Sequence, residues 1–376
     1  MKKIFFTAFL VQSTIHLFAQ DATALYKEGL ALKDQKKSNE AWKKFRDAVE
    51  LKPGYTEARY ELGWCLNDIK DYAGAIDNLR KVRDVWPAVP KVFFELGYAF
   101  DKTNQVDSAI QAYNTCLQLK PDYSGACKNL GNIYYTKDDN VKALYYFRKY
   151  EQAVKDTIRD YLFFYRNGYL FNAAKKYDSA LLYLNKSVQY KTDYVNSWLE
   201  MGFANTKLKK DEEAISNFKR AMELDPKNHI PTNGIAEVYR DNKKDMNEAI
   251  NWYRKTLAIN STERKACFGL GYCLNSQQKY SDAIPYLRTA IEKEPTYTAA
   301  FVELGYSLYR TGSYTEAEEK LLKAVALNPQ NENSRYYLVL LYIAQKNKTK
   351  AQQVVDQLRN LSSKYTDELQ NKVSMM

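Results

Sequence analysis

The sequence predicts an all-α fold built from repeated pairs of antiparallel helices. Three observations predict it: a small residue returns about every 34 positions, an alanine follows at a fixed distance, and prolines close six of the units. The small residues are Gly29, Gly63, Gly97, Gly131, Gly168, Gly202, Ala236, Gly271 and Gly305. A glycine inside a helix costs roughly 1 kcal/mol relative to alanine, so its periodic return indicates a packing requirement. The chain is therefore predicted to be a repeat array.

The alanine series marks the second helix of each unit. Each alanine lies 12 residues after the small residue of its unit, or 13 where one residue is inserted within 241–246. Its members are Ala41, Ala75, Ala109, Ala143, Ala180, Ala214, Ala249, Ala283, Ala317 and Ala351. Apolar residues recur at helical spacing on both sides of the polar turn. Proline cannot continue a helix, so Pro53, Pro87, Pro121, Pro226, Pro295 and Pro329 mark boundaries between units.

These landmarks resemble the tetratricopeptide repeat family. The second unit carries them in order, at Leu62, Gly63, Ala75, Leu79 and Pro87, and Trp198 adds the family's tryptophan in a later unit. The resemblance implies an α-solenoid that winds as a right-handed superhelix over residues 22–365. It consists of nine repeats and a degenerate tenth, over 332–365, which has Val339 in place of the glycine and would cap the array.

Two segments after residue 21 depart from this pattern. The unit beginning at Ser124 has Tyr150 where a small residue is expected, lacks the closing proline and gains three residues before Tyr161. We expect a local kink or altered stacking at residues 155–160. The last residues, 366–376, either extend the final helix as a cap or form a loose tail.

The first 19 residues read as a secretory signal peptide. Lys2 and Lys3 precede an apolar run at 4–11, and small Ala19 closes the segment. The run is too short to span a bilayer. Cleavage after Ala19 would place the protein in the bacterial cell envelope, in the periplasm or against the outer membrane, or outside the cell. An ordinary helix and an uncleaved anchor are the alternatives.

Charge and cysteine content favour a solvated array over a disulfide scaffold or a nucleic-acid binder. The net charge is +11, but basic and acidic residues are interspersed, which is typical of solvated helix faces. Five cysteines are too few for a disulfide framework, and buried thiols are the simplest interpretation. A Cys116–Cys127 bridge stays open. Cys267 and Cys273, six apart on one helix, point in different directions and should not pair.

Enzyme chemistry is not expected. The chain has two histidines, His16 and His229, and His16 lies in the segment expected to be removed. One remaining histidine cannot build a two-histidine metal site, and no glycine-rich phosphate-binding loop occurs. We therefore predict no catalytic residue, no metal and no cofactor.

Binding is the function that remains. In the tetratricopeptide repeat family, the first helix of each unit lines a concave groove with the residues three before and one after the glycine, which share one helix face. The resemblance therefore points to these groove residues: Tyr60 with Trp64, Phe94 with Tyr98, Lys128 with Asn132, Tyr165 with Tyr169, Phe268 with Tyr272, and Phe203 and Tyr306. Tyrosine and tryptophan are common at binding surfaces. The alternative is that these large residues pack neighbouring first helices together.

Lys128 and Asn132 also match the first part of the site with which some family members hold chaperone tails, but Asn196 and Glu200 do not complete it. The resulting hypothesis is a non-enzymatic scaffold of the cell envelope that binds partner proteins or peptides through an aromatic groove. The alternative is a glycan- or peptide-binding module in polysaccharide handling or export. The identity of the partner and the oligomeric state stay open.

Overall fold

A computed structural model describes residues 21–376, and every regular element within that range is a helix. The signal-peptide prediction for residues 1–19 lies outside the described residues. The helices are α1 (21–34), α2 (Ser38–Leu51), α3 (Thr56–Asp68), α4 (Tyr72–Val85), α5 (Pro90–Lys102), α6 (Val106–Leu119), α7 (Ser124–Thr136), α8 (Asn140–Val154), α9 (Tyr161–Ala173), α10 (Tyr177–Tyr190), α11 (Val195–Lys207), α12 (Asp211–Leu224), α13 (Ile230–Glu237), α14 (Met246–Ile259), α15 (Arg264–Ser276), α16 (Tyr280–Lys293), α17 (Thr298–Arg310), α18 (Tyr314–Leu327), α19 (Glu332–Ala344), α20 (Lys348–Asn360) and α21 (Thr366–Ser374).

The predicted helix pairs are confirmed, and their packing explains the recurring glycine. Odd-numbered helices up to α17 carry the small residues, and even-numbered helices up to α20 carry the alanines. A Cβ atom at Gly63 would lie 2.6 Å from Cγ of Leu79, and one at Gly97 would lie 2.7 Å from the ring of Tyr113. In both cases the side chain comes from the second helix of the same unit. The side chain of the second helix occupies the space that a Cβ atom would need, so glycine lets that side chain pack directly against the first helix.

The turn inside each unit has a left-handed residue at a fixed place. It lies seven residues after the small residue, or eight in the unit headed by Ala236, and only Gly312 among them is a glycine. The others are Lys36, Lys70, Asn104, Asp138, Lys175, Lys209, Lys244, Gln278 and Lys346, with φ between 56° and 69°. Several second helices then begin behind a side-chain cap: Asp71 accepts a hydrogen bond from the N–H of Gly74 at 3.0 Å.

The chain divides into two compact units, which we call unit 1 (residues up to Leu170) and unit 2 (Phe171–Met376). In unit 1 the apolar core runs from Ala41 on α2 to Ile133 on α7. In unit 2 the main core runs from Ala214 on α12 to Val373 on α21. Each core lies between the two helices of a pair and between neighbouring pairs, as expected for a repeat array.

Two segments interrupt the regular alternation of helices. Residues Lys155–Thr157 form a single 3₁₀ turn in which Lys155 has φ 52°, and residues 158–160 then lead without helix into α9. Residues Val238–Asn242 form a π-helical turn after α13. That turn falls in the unit with one inserted residue, and a π turn accommodates such an insertion without ending the helix.

The last helix, α21, packs on α20 with Leu369 and Val373 fully buried.

The five cysteines are free and buried, so Cys116 and Cys127 form no disulfide. Burial raises the pKa of the Cys65, Cys116 and Cys273 thiols to about 12. Within residues 21–376, no helix combines the length and the apolar character that crossing a bilayer requires.

Candidate binding surface

The structure separates the first-helix aromatics into two rows with different surroundings. We call the residues three before the small residue the minus-three row, and those one after it the plus-one row. Rings of the minus-three row pack against the segment that leads into the next first helix. The ring centroids lie 5.0 Å apart for Tyr26 and Tyr55, 6.2 Å for Tyr60 and Trp86, 5.0 Å for Phe94 and Tyr123, 4.8 Å for Phe268 and Tyr297, and 4.8 Å for Tyr336 and Tyr365.

The minus-three row thus takes part in packing one repeat onto the next. Tyr60 is only 6% exposed and offers little surface to a ligand, while Phe94 and Phe268 are half-buried. Tyr165 is also half-buried, with its ring 6.5 Å from that of Tyr169. Repeat packing was the alternative interpretation of these side chains.

The plus-one row is more accessible. Tyr169 is 37% exposed, Phe203 43% and Tyr272 39%. Trp64, Tyr98 and Tyr306 are half-buried. Large aromatic rings with this exposure leave apolar area in water that binding could remove. The plus-one row therefore holds the most exposed aromatic rings of the first-helix face.

Lys128 and Asn132 are engaged within unit 1. The Lys128 ammonium forms an ion pair with Asp160 at 2.7 Å, and the Asn132 side-chain oxygen accepts a hydrogen bond from the Arg166 guanidinium. Burial alone would raise the pKa of Asp160, but the Lys128 ammonium and the N–H groups that follow Asp160 lower it below its ordinary value. Lys128 occupies a minus-three position, where several other units have an aromatic ring. Its ion pair with Asp160 takes the place of the ring contact made in those units.

The structure also places together an asparagine and a glutamate that the sequence reasoning missed. Asparagines four residues after a small residue donate through Nδ2 to glutamates two residues before the next one, at both the backbone oxygen and the carboxylate. The Nδ2-to-carboxylate distances are 2.9 Å for Asn67 and Glu95, 2.8 Å for Asn172 and Glu200, and 2.8 Å for Asn275 and Glu303. The sequence has this asparagine and this glutamate at fixed distances from the small residues, but only in every third unit.

An edge-to-face ring pair stands beside each asparagine–glutamate pair. The ring centroids lie 6.2 Å apart for Tyr72 and Tyr98, 6.4 Å for Tyr177 and Phe203, and 5.5 Å for Tyr280 and Tyr306, with interplanar angles from 71° to 84°. The first ring of each pair opens a second helix, and the second ring belongs to the plus-one row of the next unit. Carboxylate, amide and rings therefore form one recurring cluster.

The glutamates in these clusters are poorly solvated. Glu95 is 8% exposed, and burial raises its pKa to about 7, although the hydrogen bond from Asn67 and the charge of Lys33 oppose the increase. Burial also raises the pKa of Glu200 and of Glu303. Desolvation disfavours the charged carboxylate, and a single neutral amide donor offsets only part of that cost.

The amide oxygens differ between the clusters. The side-chain oxygens of Asn67 and Asn172 are buried without a hydrogen-bond partner. In the third cluster, the Ser307 hydroxyl donates to the side-chain oxygen of Asn275 at 2.6 Å. The residue equivalent to Ser307 beside Asn67 is Ala99, which has no donor to offer.

Two of the clusters line cavities, one in each unit. The unit 1 cavity has a volume of about 240 Å³ and is lined by Trp64, Asn67, Tyr72, Phe94, Glu95 and Tyr98, with Asp68 and Lys70 at its edge. The unit 2 cavity has a volume of about 370 Å³, and its lining includes Tyr272, Asn275, Tyr280, Glu303, Tyr306 and Arg310. These volumes are near or below the lower end of the range for small-molecule sites. Each cavity can therefore hold a group the size of one side chain.

The described residues contain no group of three or more histidine, cysteine, aspartate or glutamate side chains placed to hold a metal ion. His229 is half-buried in the turn before α13.

Helical repeats with an accessible aromatic row define a class of proteins that bind other molecules along an extended surface.

Comparison with known families identifies the repeat. Three models described as tetratricopeptide repeat match residues 26–90 and 268–332, residues 308–371, and residues 90–123 and 195–228, together more than half of the chain. The chain belongs to the tetratricopeptide repeat family. The family's fold generally serves as a non-catalytic scaffold that binds protein or peptide partners.

The similar proteins are distant. A TPR repeat-containing protein of Methanocaldococcus jannaschii is 23% identical over 267 residues, which cover 63% of this chain and 46% of that protein. The human Protein O-mannosyl-transferase TMTC3 is 20% identical over 364 residues, 82% of this chain and 39% of that protein. The chain thus spans less than half the length of these two relatives. Among solved structures, Pseudomonas aeruginosa PilF superposes with a TM-score of 0.50 at 15% identity, over 56% of this chain and 97% of PilF, which supports the fold alone.

Proposed function

We propose that this chain is a non-catalytic scaffold that binds partner proteins or extended peptides along the plus-one row of its first helices. The exposed rings of Tyr169, Phe203 and Tyr272 carry this proposal, because they leave apolar surface in water without contributing to a buried core. Rings of this kind supply much of the free energy at protein interfaces.

We also propose that the protein acts in the bacterial cell envelope after export, because the residues preceding the array have the charge and apolar pattern of a secretory signal. Cell fractionation and N-terminal sequencing of the mature protein test this. Export with cleavage after Ala19 predicts a mature chain that begins at Gln20. A chain recovered from the cytosol with Met1 in place would overturn the envelope assignment.

The binding surface is tested by co-purification of partners with a tagged full-length chain. In unit 2, the double variant Phe203→Ala and Tyr272→Ala should lose at least tenfold in affinity for the recovered partner. The matched control is Leu182→Ala with Leu322→Ala, which removes two side chains of similar exposure, 59% and 48%, from second helices. The control should bind as the wild type does.

Unchanged affinity in the Phe203→Ala and Tyr272→Ala variant would refute binding through the plus-one row. A glycan array run on the same proteins separates the two chemistries. Saturable glycan binding that these substitutions abolish, together with no protein partner, would replace the scaffold proposal with a glycan-binding module. Circular dichroism of each variant excludes loss of helix as the cause.

A further inference from the structure

The cavities of units 1 and 2 are built alike, and the chain's own arginine partly occupies one of them. In unit 2, the Arg310 guanidinium lies 4.4 Å from the centre of the Tyr280 ring and donates a hydrogen bond to the Tyr306 hydroxyl at 2.9 Å. Tyr280 and Tyr306 are the edge-to-face pair of that cluster. The protein thus shows that these rings accept a cation.

In unit 1 the equivalent position holds Lys102, which does not reach as far. Its ammonium lies 5.3 Å from the centre of the Tyr98 ring, and no cation of the described part of unit 1 lies over Tyr72. The ring that Arg310 covers in unit 2 is therefore open in unit 1. Lysine and arginine side chains differ in this setting because the planar guanidinium stacks on rings and can donate hydrogen bonds in several directions at once.

Within residues 21–376, no lysine or arginine forms an ion pair with the carboxylate of the unit 1 cavity. Asn67 donates to one oxygen of Glu95, and no ion pair to Glu95 occurs among the described residues. Lys33, whose charge acts on Glu95, pairs instead with Glu61 and lies 4.0 Å from the centre of the Trp64 ring. A buried carboxylate fixed by an amide and surrounded by aromatic rings is the arrangement in which proteins hold ammonium and guanidinium groups.

We propose that the unit 1 cavity binds the side chain of an arginine or lysine presented by a partner polypeptide, with its cationic group beside Glu95 and its stem against Tyr72 and Tyr98. The volume of about 240 Å³ suits one such side chain. Asp68 at the rim adds a second negative charge, opposed by Lys70. This inference rests on the proposed function and names the residue type that the scaffold recognises.

The test uses the full-length chain and two peptides, acetyl-Ala-Ala-Arg-Ala-Ala-amide and the same peptide with neutral, isosteric citrulline. Isothermal titration and the NMR signal of the Trp64 indole N–H follow binding. We expect saturable binding of the arginine peptide that the Trp64 signal reports, and at least tenfold weaker binding of the citrulline peptide. Glu95→Gln should weaken arginine binding at least tenfold, and Glu57→Gln, which alters an exposed carboxylate on the preceding first helix, α3, should not.

A second variant tests the inference in unit 2 without altering the first cavity. Arg310→Ala removes the chain's own cation, so the variant should gain one arginine-peptide site relative to the wild type, and adding Glu303→Gln should abolish that additional site. Equal binding of the two peptides, unchanged affinity in Glu95→Gln, or no additional site in Arg310→Ala would each overturn the inference.

Different results would refute the scaffold proposal and the proposal of a cation-binding cavity in unit 1. A partner whose binding depends on Phe203 and Tyr272 but not on Glu95 would support the scaffold and refute the arginine-binding cavity. Arginine-peptide binding that depends on Glu95, with no dependence of any partner on the plus-one row, would do the reverse.

Discussion

The buried carboxylate of Glu95 should make the stability of unit 1 depend on pH in an unusual direction. Its pKa is about 7 in the folded chain, against an ordinary value of 4.5. The folded state therefore binds the proton more tightly than the unfolded state does. The stabilising contribution is fully present below pH 4.5 and is lost as the pH rises through 7.

The size of the effect follows from the difference between the two pKa values. A difference between 4.5 and about 7 corresponds to roughly 3 kcal/mol, at about 1.4 kcal/mol for each pH unit. Glu95→Gln removes the titrating group and keeps an oxygen that can accept from Asn67. The new amide can also donate to the unpartnered oxygen of Asn67. The variant should gain about 3 kcal/mol over the wild type between pH 4 and pH 8.5.

Urea unfolding followed by tryptophan fluorescence, repeated between pH 4 and pH 8.5, measures this gain. The ¹³C shift of the Glu95 carboxyl group gives the pKa directly, with the signal assigned by its loss in Glu95→Gln. The exposed Glu57→Gln variant is the control and should show no comparable change with pH. A carboxyl titration centred near pH 4.5, or a stability difference that does not change with pH, would refute the reasoning.

Three further substitutions test the packing. Gly97→Ala should lower the free energy of unfolding by about 1 to 3 kcal/mol through overpacking, whereas Gly54→Ala, where a Cβ atom meets nothing within 4 Å, should leave it nearly unchanged; calorimetry of the pair measures the difference. Ala99→Ser should stabilise unit 1 by about 0.5 to 1.5 kcal/mol, because the new hydroxyl can donate to the unpartnered side-chain oxygen of Asn67. Ser307→Ala should destabilise unit 2 by a similar amount, because Asn275 loses its donor. Unfolding midpoints that do not change in either variant would show that this hydrogen bond does not contribute to stability. Lys128→Met should cost about 1 kcal/mol or less in urea unfolding, because its ion pair is about one-third exposed.

The helix pairs could be predicted from the sequence because their cause is local and periodic. A Cβ atom on seven of the recurring glycines would meet a side chain 16 residues later in the same unit, as at Gly63 with Leu79 and at Gly97 with Tyr113. Because this contact recurs from repeat to repeat, the residues that make it recur at a regular interval in the sequence. The π turn after α13 is indicated in the sequence only by the single inserted residue near Asp241.

The division of the first-helix face into two rows could not be predicted, because the partners that cover the minus-three row lie in the connecting segments. Tyr55, Tyr123 and Tyr297 precede first helices and stand outside the helical periodicity. The Asn67–Glu95 pair escaped notice for a different reason. Its members come from adjacent units and recur only in every third one, so the pair is not part of the pattern that every repeat shares.

The asparagine–glutamate pairs impose a second, longer period on the chain. Asn67, Asn172 and Asn275 are separated by 105 and 103 residues, or three repeats in each case. Repeat arrays change length in evolution when whole units are duplicated or deleted. Gain or loss of one repeat between two pairs would preserve the helical packing and alter the interval between the pairs. A change of three repeats that carries a pair with it would add or remove a cluster and keep the spacing, so the pairs mark the array at intervals of about a hundred residues.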